Sequence, residues 1–202
     1  MKKILVWDLP TRMSHWLLVT AFITAFLTGD GEEWRLVHVA AGYAMAGIIV
    51  FRIFWGMTGT RYARFKSFLF SPRSVFTYLG GLLKGKPGHW IGHNPAGSYA
   101  IYTLILLGLA ATASGFAVYA EIGGEWLEEA HDILTYTMLG MVCFHIIGVI
   151  VSSRMHHENL VRSMIDGRKQ GKNEDAITSS KSYWVAAPIL SAALASLLIL
   201  VT

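Results

Sequence analysis

Five runs of mostly apolar residues, each about twenty long, dominate this sequence: roughly Pro10 to Thr28, Leu36 to Met57, Ala96 to Ala120, Leu127 to Val151 and Tyr183 to Val201. A hydrocarbon core of about 30 Å is crossed by about 20 helical residues, so each run has the length of a transmembrane helix. Inside lipid every backbone polar group must be bonded within the protein, which leaves helices or closed barrels. The runs lack the alternation of barrel strands. The expected fold class is therefore all-α, an integral membrane helical bundle. Composition agrees, because 53% of the 202 residues are hydrophobic and only 15% are charged, too apolar a balance for an ordinary soluble domain.

The formal net charge is +4. In a membrane chain a basic excess is topogenic, so it points to bilayer orientation and not to a nucleic-acid partner. Between Thr58 and Asn94 stand Arg61, Arg64, Lys66, Arg73, Lys84 and Lys86 with no acid. The stretch from Arg154 to Ser182 adds Arg154, Arg162, Arg168, Lys169, Lys172 and Lys181. The other two loops carry Asp30, Glu32, Glu33, Glu121, Glu125, Glu128 and Glu129 against Arg35. Both signals place the N-terminus inside and the C-terminus outside. The opening MKKILVWDLPTRMSHW has a basic start but no short apolar core with a small-residue cleavage site, and reads as the lead into a retained helix. The segment ENLVRSMIDGRKQGK gathers Leu160, Val161, Met164 and Ile165 on one helical face, which suits either a helix on the cytoplasmic surface or a solvated linker.

Four histidines, His15, His38, His131 and His145, lie in or at the ends of the spans, whereas His89, His93, His156 and His157 fall in cytoplasmic connections. Fourteen helical steps separate His131 from His145, which sets them about 40° apart in azimuth and about 21 Å apart in height. They share a face at opposite leaflets. By depth the four resolve into two pairs, His15 with His145 inside and His38 with His131 outside. Two imidazoles facing across a gap are what a six-coordinate, non-covalent haem b requires. Gly42, one turn after His38, and Gly140, between the two histidines of the fourth span, would make room for a macrocycle, although glycine also serves plain helix packing. The one cysteine, Cys143, excludes an intrachain disulfide, an iron–sulfur site and a c-type haem. One intramembrane histidine can be satisfied by neighbouring hydroxyls or carbonyls, but four that pair by depth point to function. Zinc would gather three or four ligands at one depth, and no such spacing exists within the spans. A proton relay would more typically include an intramembrane carboxylate, and the nearest is Asp132, at a helix end.

The pieces VWDLPTRMSHW (Val6 to Trp16), HVAAGY followed by FRIFWGMTG, ARF (Ala63 to Phe65), GHNPAG (Gly92 to Gly97), the two-histidine fourth span and HENLVRSMIDGRK (His157 to Lys169) occur together. In this combination the chain resembles the bacterial cytochrome b561 family, related to the b-type cytochrome subunits of nickel–iron hydrogenases and to the membrane subunit of formate dehydrogenase. The resemblance covers most of the first 170 residues. It implies a four-helix core holding two haems b, with ligands on the first, second and fourth helices, which map onto His15, His38, His131 and His145. Residues 1–175 would then form the di-haem domain with its cytoplasmic surface segment, and 176–202 a linker and a fifth transmembrane helix outside that core. The resemblance also implies quinone as electron partner. A quinone would sit near the inner haem, where His93 and Asn94 offer hydrogen bonds, while Asn94-Pro95 reads equally as a helix cap. Arg12, one turn before His15, would pair with a haem propionate or serve as topogenic charge, and Arg52 invites the same two readings. The tryptophans near the predicted interfaces read as an aromatic belt.

Function follows in three versions. The first is a conduit in the bacterial inner membrane between a quinone pool and a periplasmic c-type cytochrome or oxidoreductase subunit. The second is a stand-alone superoxide:quinone oxidoreductase, and the third a nickel–iron hydrogenase subunit. Superoxide is an anion, and the acidic outer loops disfavour its approach while suiting a basic docking partner.

Overall fold

A computed structural model of the chain describes residues 2–179; the fifth predicted span lies outside the described residues. In chain order the elements are β1 (Lys2–Leu5), α1 (Leu9–Leu27), α2 (Arg35–Thr58), α3 (Pro72–Leu83), α4 (Pro95–Tyr119), α5 (Glu125–Met155), α6 (Leu160–Asp166) and β2 (Arg168–Gly171). The bundle is mostly helical, and α1, α2 and α4 begin and end within a residue of the bounds expected from the sequence. By length and apolarity three described segments can cross a membrane, Glu32–Thr58, Pro95–Tyr119 and Glu125–Met155. The 19-residue α1 also spans the bundle, but Thr11, Arg12, Ser14 and His15 make its first two turns polar.

Three helices open with the same local grammar, a polar cap followed by proline. Asp8 accepts from the Thr11 amide at 2.9 Å ahead of Pro10, Ser71 accepts from the Ser74 amide at 3.3 Å ahead of Pro72, and Asn94 accepts from the Gly97 amide at 2.7 Å ahead of Pro95. Each cap satisfies an amide that the first turn leaves without a carbonyl, and proline occupies a position whose amide would be unpaired anyway.

Packing runs α1 on α2, α2 on α4 and α4 on α5. The two ends of this series, α1 and α5, form no comparable interface, although Phe26 and Tyr136 meet edge to face at 6.0 Å. Ala21, Met45, Ile49 and Met138 make the buried centre of the bundle. Gly108 permits that approach, since a Cβ there would fall 2.6 Å from Ile49 Cδ1.

At the basic end the chain adds a layer the sequence reading lacks. β1 pairs antiparallel with β2, Lys2 opposite Gly171 and Leu5 opposite Arg168, so an otherwise helical fold carries a two-stranded ribbon. The amides of Val6 and Trp7 both donate to the Gly167 carbonyl. Gly167 closes α6 at φ 78°, a left-handed value that glycine takes without steric cost. Ile4, Val6, Trp7, Tyr62 and Ile177 pack beneath the ribbon with Leu5, Ile91 and Met164. The segment after α5 holds a helix, as one of the two readings expects: Met164 enters this small core, while Val161 and Ile165 stay exposed. The connection between α2 and α4 contains α3, which the sequence reading leaves as a basic loop.

Candidate functional site

At the acidic end, His38 in the first turns of α2 faces His131 of α5, with ring centroids 6.1 Å apart and planes at 83°. Their hydrogen bonds decide the tautomers. His38 Nδ1 lies 2.8 Å from the Ala25 carbonyl oxygen, which can only accept, so Nδ1 carries the proton and Nε2 a lone pair. Ser114 Oγ donates to the Ala111 carbonyl at 3.0 Å, which uses its one proton, so it accepts from His131 Nδ1 at 3.0 Å. His131 Nε2 therefore keeps its lone pair too. Two neutral rings this close, each with an Nε2 lone pair, are a pair of nitrogen donors that would hold one metal between them. Gly115 is required for this arrangement, because a Cβ there would meet His131 Cε1 at 2.9 Å.

At the basic end, His15 of α1 and His145 of α5 lie within electrostatic range of each other. The Nδ1 of His15 is out of solvent and without a hydrogen-bond partner. His93 stands beside them, its ring between Trp7 at 4.6 Å and Phe68 at 4.4 Å. Burial, and then the positive charges of Arg52 and Lys169, push the His93 pKa well below its ordinary 6.5, which keeps its imidazole neutral.

Charge at this end is arranged around Asp8. This carboxylate is fully buried and accepts from Trp55 Nε1 at 3.0 Å and Thr60 Oγ1 at 2.6 Å as well as from the Thr11 amide, so it ties the start of α1 to the end of α2. Arg52 is buried over the Phe65 ring at 5.1 Å, and Arg12 donates from Nη1 to the Ile165 carbonyl. Among the described residues the buried side-chain polar atoms without a partner are Thr11 Oγ1, Arg12 Nε, His15 Nδ1, Arg52 Nη1 and His93 Nδ1. All five lie at the basic end. A buried unsatisfied donor costs about 1–3 kcal/mol, and the two guanidinium nitrogens among them can only donate, which suits an anionic group that accepts hydrogen bonds.

A haem b fits these residues. The facing imidazoles would hold its iron, and Gly42 and Gly140 leave space, with nothing within 4 Å of an added Cβ at either. The orphaned guanidinium nitrogens match carboxylate side chains of the macrocycle. No three or more His, Cys, Asp or Glu residues converge to hold a bare metal ion among the described residues. The residues 6–167 match the profile of the prokaryotic cytochrome b561 family. The chain belongs to that family.

Similarity extends to individual members named as probable Ni/Fe-hydrogenase B-type cytochrome subunits. That of Rhizobium leguminosarum bv. viciae is 26% identical over 86% of this chain and 92% of its own length. Those of Azotobacter chroococcum and Rhodobacter capsulatus are each 27% identical over 84% of this chain and 89% and 82% of theirs. No solved structure matches the chain. This cytochrome b561 family member is accordingly a membrane b-type cytochrome of electron transport.

Two groups in the site escaped the sequence reading. Ser114 was legible as a hydroxyl in an apolar span, but nothing in its position named His131 as its partner. Glu158 and Lys169 form a buried pair at 3.7 Å beneath the connection before α4, with Lys169 Nζ donating to the Trp90 carbonyl at 2.9 Å and His89 3.4 Å from Glu158. Burial lowers the Lys169 pKa from its ordinary 10.5 against the opposing pull of Glu158. Asn94 is a helix cap whose amide also reaches Ser152 Oγ at 3.5 Å.

Proposed function

We propose that this cytochrome binds two haems b and conducts electrons across the bacterial inner membrane between a quinone at the cytoplasmic, basic end and an oxidoreductase subunit docked on the periplasmic, acidic end. The observation that carries the reading is the His38–His131 pair at 6.1 Å, on the helix that offers His145 fourteen residues further along the same face. Haem, when bound, supplies a one-electron iron couple. The protein's own work is to hold and tune. Ala25 and Ser114 fix the outer imidazoles by taking their Nδ1 protons, and His15 with His145 forms the inner pair. Arg12 and Arg52 offset carboxylate charge at the basic end. His93 Nδ1 and the Asn94 amide stand at the start of α4 as hydrogen-bonding groups for a quinone carbonyl.

The relatives' names favour a nickel–iron hydrogenase as the partner, ahead of a c-type cytochrome. The acidic outer loops argue against superoxide as substrate, since an anion is repelled there. Reduced-minus-oxidised spectra and a pyridine haemochrome assay should give two haems b per chain, and His131→Ala should leave one. A wild-type stoichiometry of one or none would overturn the two-pair scheme. Affinity purification of the intact membrane complex should recover hydrogenase subunits, and recovery of the cytochrome alone would count against a hydrogenase partner and for the stand-alone superoxide reading.

A further inference from the structure

The helix α3 and the turn after it are used by none of this, yet they are built for contact. At about 100° per residue, Phe76, Leu79 and Leu83 fall within about 60° of one another on α3. They are 74%, 41% and 91% exposed. The opposite side is fastened to the bundle: Tyr78 is buried and its hydroxyl lies 3.1 Å from Ser152 Oγ of α5, while Tyr99 in the first turn of α4 donates to the Phe70 carbonyl at 3.2 Å. With α2 ending at Thr58 and α4 beginning at Pro95, these ties hold α3 beside the ends of two spans, at the level of a bilayer surface.

Beside the apolar stripe an open groove of roughly 880 Å³ is lined by Arg73, Thr77, Gly81, Lys84, Lys86 and Trp90 among others, none of them acidic. No acidic residue stands anywhere from Gly59 to Asn94. We infer that α3 lies in the headgroup layer and that this groove binds the headgroup of an anionic phospholipid, with Phe76, Leu79 and Leu83 inserted beside its acyl chains. Charge selects the occupant: three cations without a counter-charge suit a phosphate diester, and an apolar stripe next to them suits lipid, which brings both features in one molecule. Long Arg and Lys stems can lie along acyl surface with their charges at the phosphate level.

The test is lipid titration of the purified full-length protein followed by native mass spectrometry, with dioleoylphosphatidylglycerol against dioleoylphosphatidylcholine. One saturable phosphatidylglycerol should bind in preference to phosphatidylcholine, and millimolar inorganic phosphate should not displace it. At about fivefold per surface cation, Arg73→Gln should weaken binding about fivefold and the triple change of Arg73, Lys84 and Lys86 to Gln about a hundredfold. The same triple change at Arg162, Arg168 and Lys172 should leave it unaltered. Circular dichroism and monodisperse elution report folding, and Phe76→Ser, which keeps every charge, should weaken the same lipid if the basic triple variant does not fold. The site is refuted by equal binding of the two lipids, by displacement with inorganic phosphate, by equal losses from the two basic triples, or by undiminished binding in Phe76→Ser. Failure on these counts would leave the face to a protein partner.

Discussion

The protonation of single nitrogens governs this site. Because Ser114 Oγ accepts from His131 Nδ1, it raises the basicity of Nε2, and losing such a support typically costs 10–100-fold in metal affinity. Under the proposed two-haem scheme, Ser114→Ala should therefore weaken haem at the acidic end by about 10–100-fold and raise that haem's midpoint potential, with the basic-end haem unmoved; redox titration resolves the two, and an unshifted pair would remove Ser114 from the site. His93 makes the second residue-level prediction. Its pKa lies below the 6.5 of the unfolded chain, so between those values the unfolded state binds the proton and stability falls as pH drops through and below 6.5. The groups that act on it are Arg52, Lys169, His145 and His15. The unfolding free energy from pH 7.5 down to about 5 should decline in the wild type at up to about 1.4 kcal/mol per pH unit for this group, read as a falling melting temperature, and His93→Gln should flatten that decline. A histidine's depth and helical face can be read from sequence, which is how the four span histidines come to be paired by depth there. The atom that takes its second nitrogen cannot, because Ala25 offers a backbone carbonyl that any residue has.

At the level of elements, Asp8 is the joint between α1 and α2. Asp8→Asn keeps one acceptor oxygen for the cap but turns an amide towards the Trp55 and Thr60 donors, and should cost about 2–4 kcal/mol; thermal unfolding in detergent measures it, and a change below about 0.5 kcal/mol would show that Trp55 and Thr60 find other partners. The start of α4 was legible because Asn94-Pro95 announces a cap followed by proline, and that of α1 from where its apolar run begins. Ser71-Pro72 announces α3 equally well, but twelve residues among arginines and lysines do not register in a search for spans of about twenty. The ribbon was not legible at all. Its strands, KKIL and RKQG, carry no alternating pattern, and their pairing depends on a tertiary fold that brings the two ends of the described chain together.

For the whole molecule, α5 extends beyond the stretch expected from apolarity, to 31 residues or about 46 Å. It overreaches a hydrocarbon core of about 30 Å, so a bilayer centred on it would leave its acidic first turn and basic last turn in water and enclose both histidine levels. Because α1 and α5 do not close on each other, the bundle's fourth wall depends on what is held between them. Protein purified from haem-depleted cells should melt roughly 10 °C below the loaded form, as expected for a ligand near a thousandfold above its dissociation constant; equal melting temperatures would show that the helices close without it. The ribbon adds an order of events. β1 precedes every helix of the bundle in the chain and β2 follows them all, so the ribbon can pair only after α1 to α6 have been made. The basic end is therefore a drawstring bag whose cord is pulled only after the helices it gathers have been made.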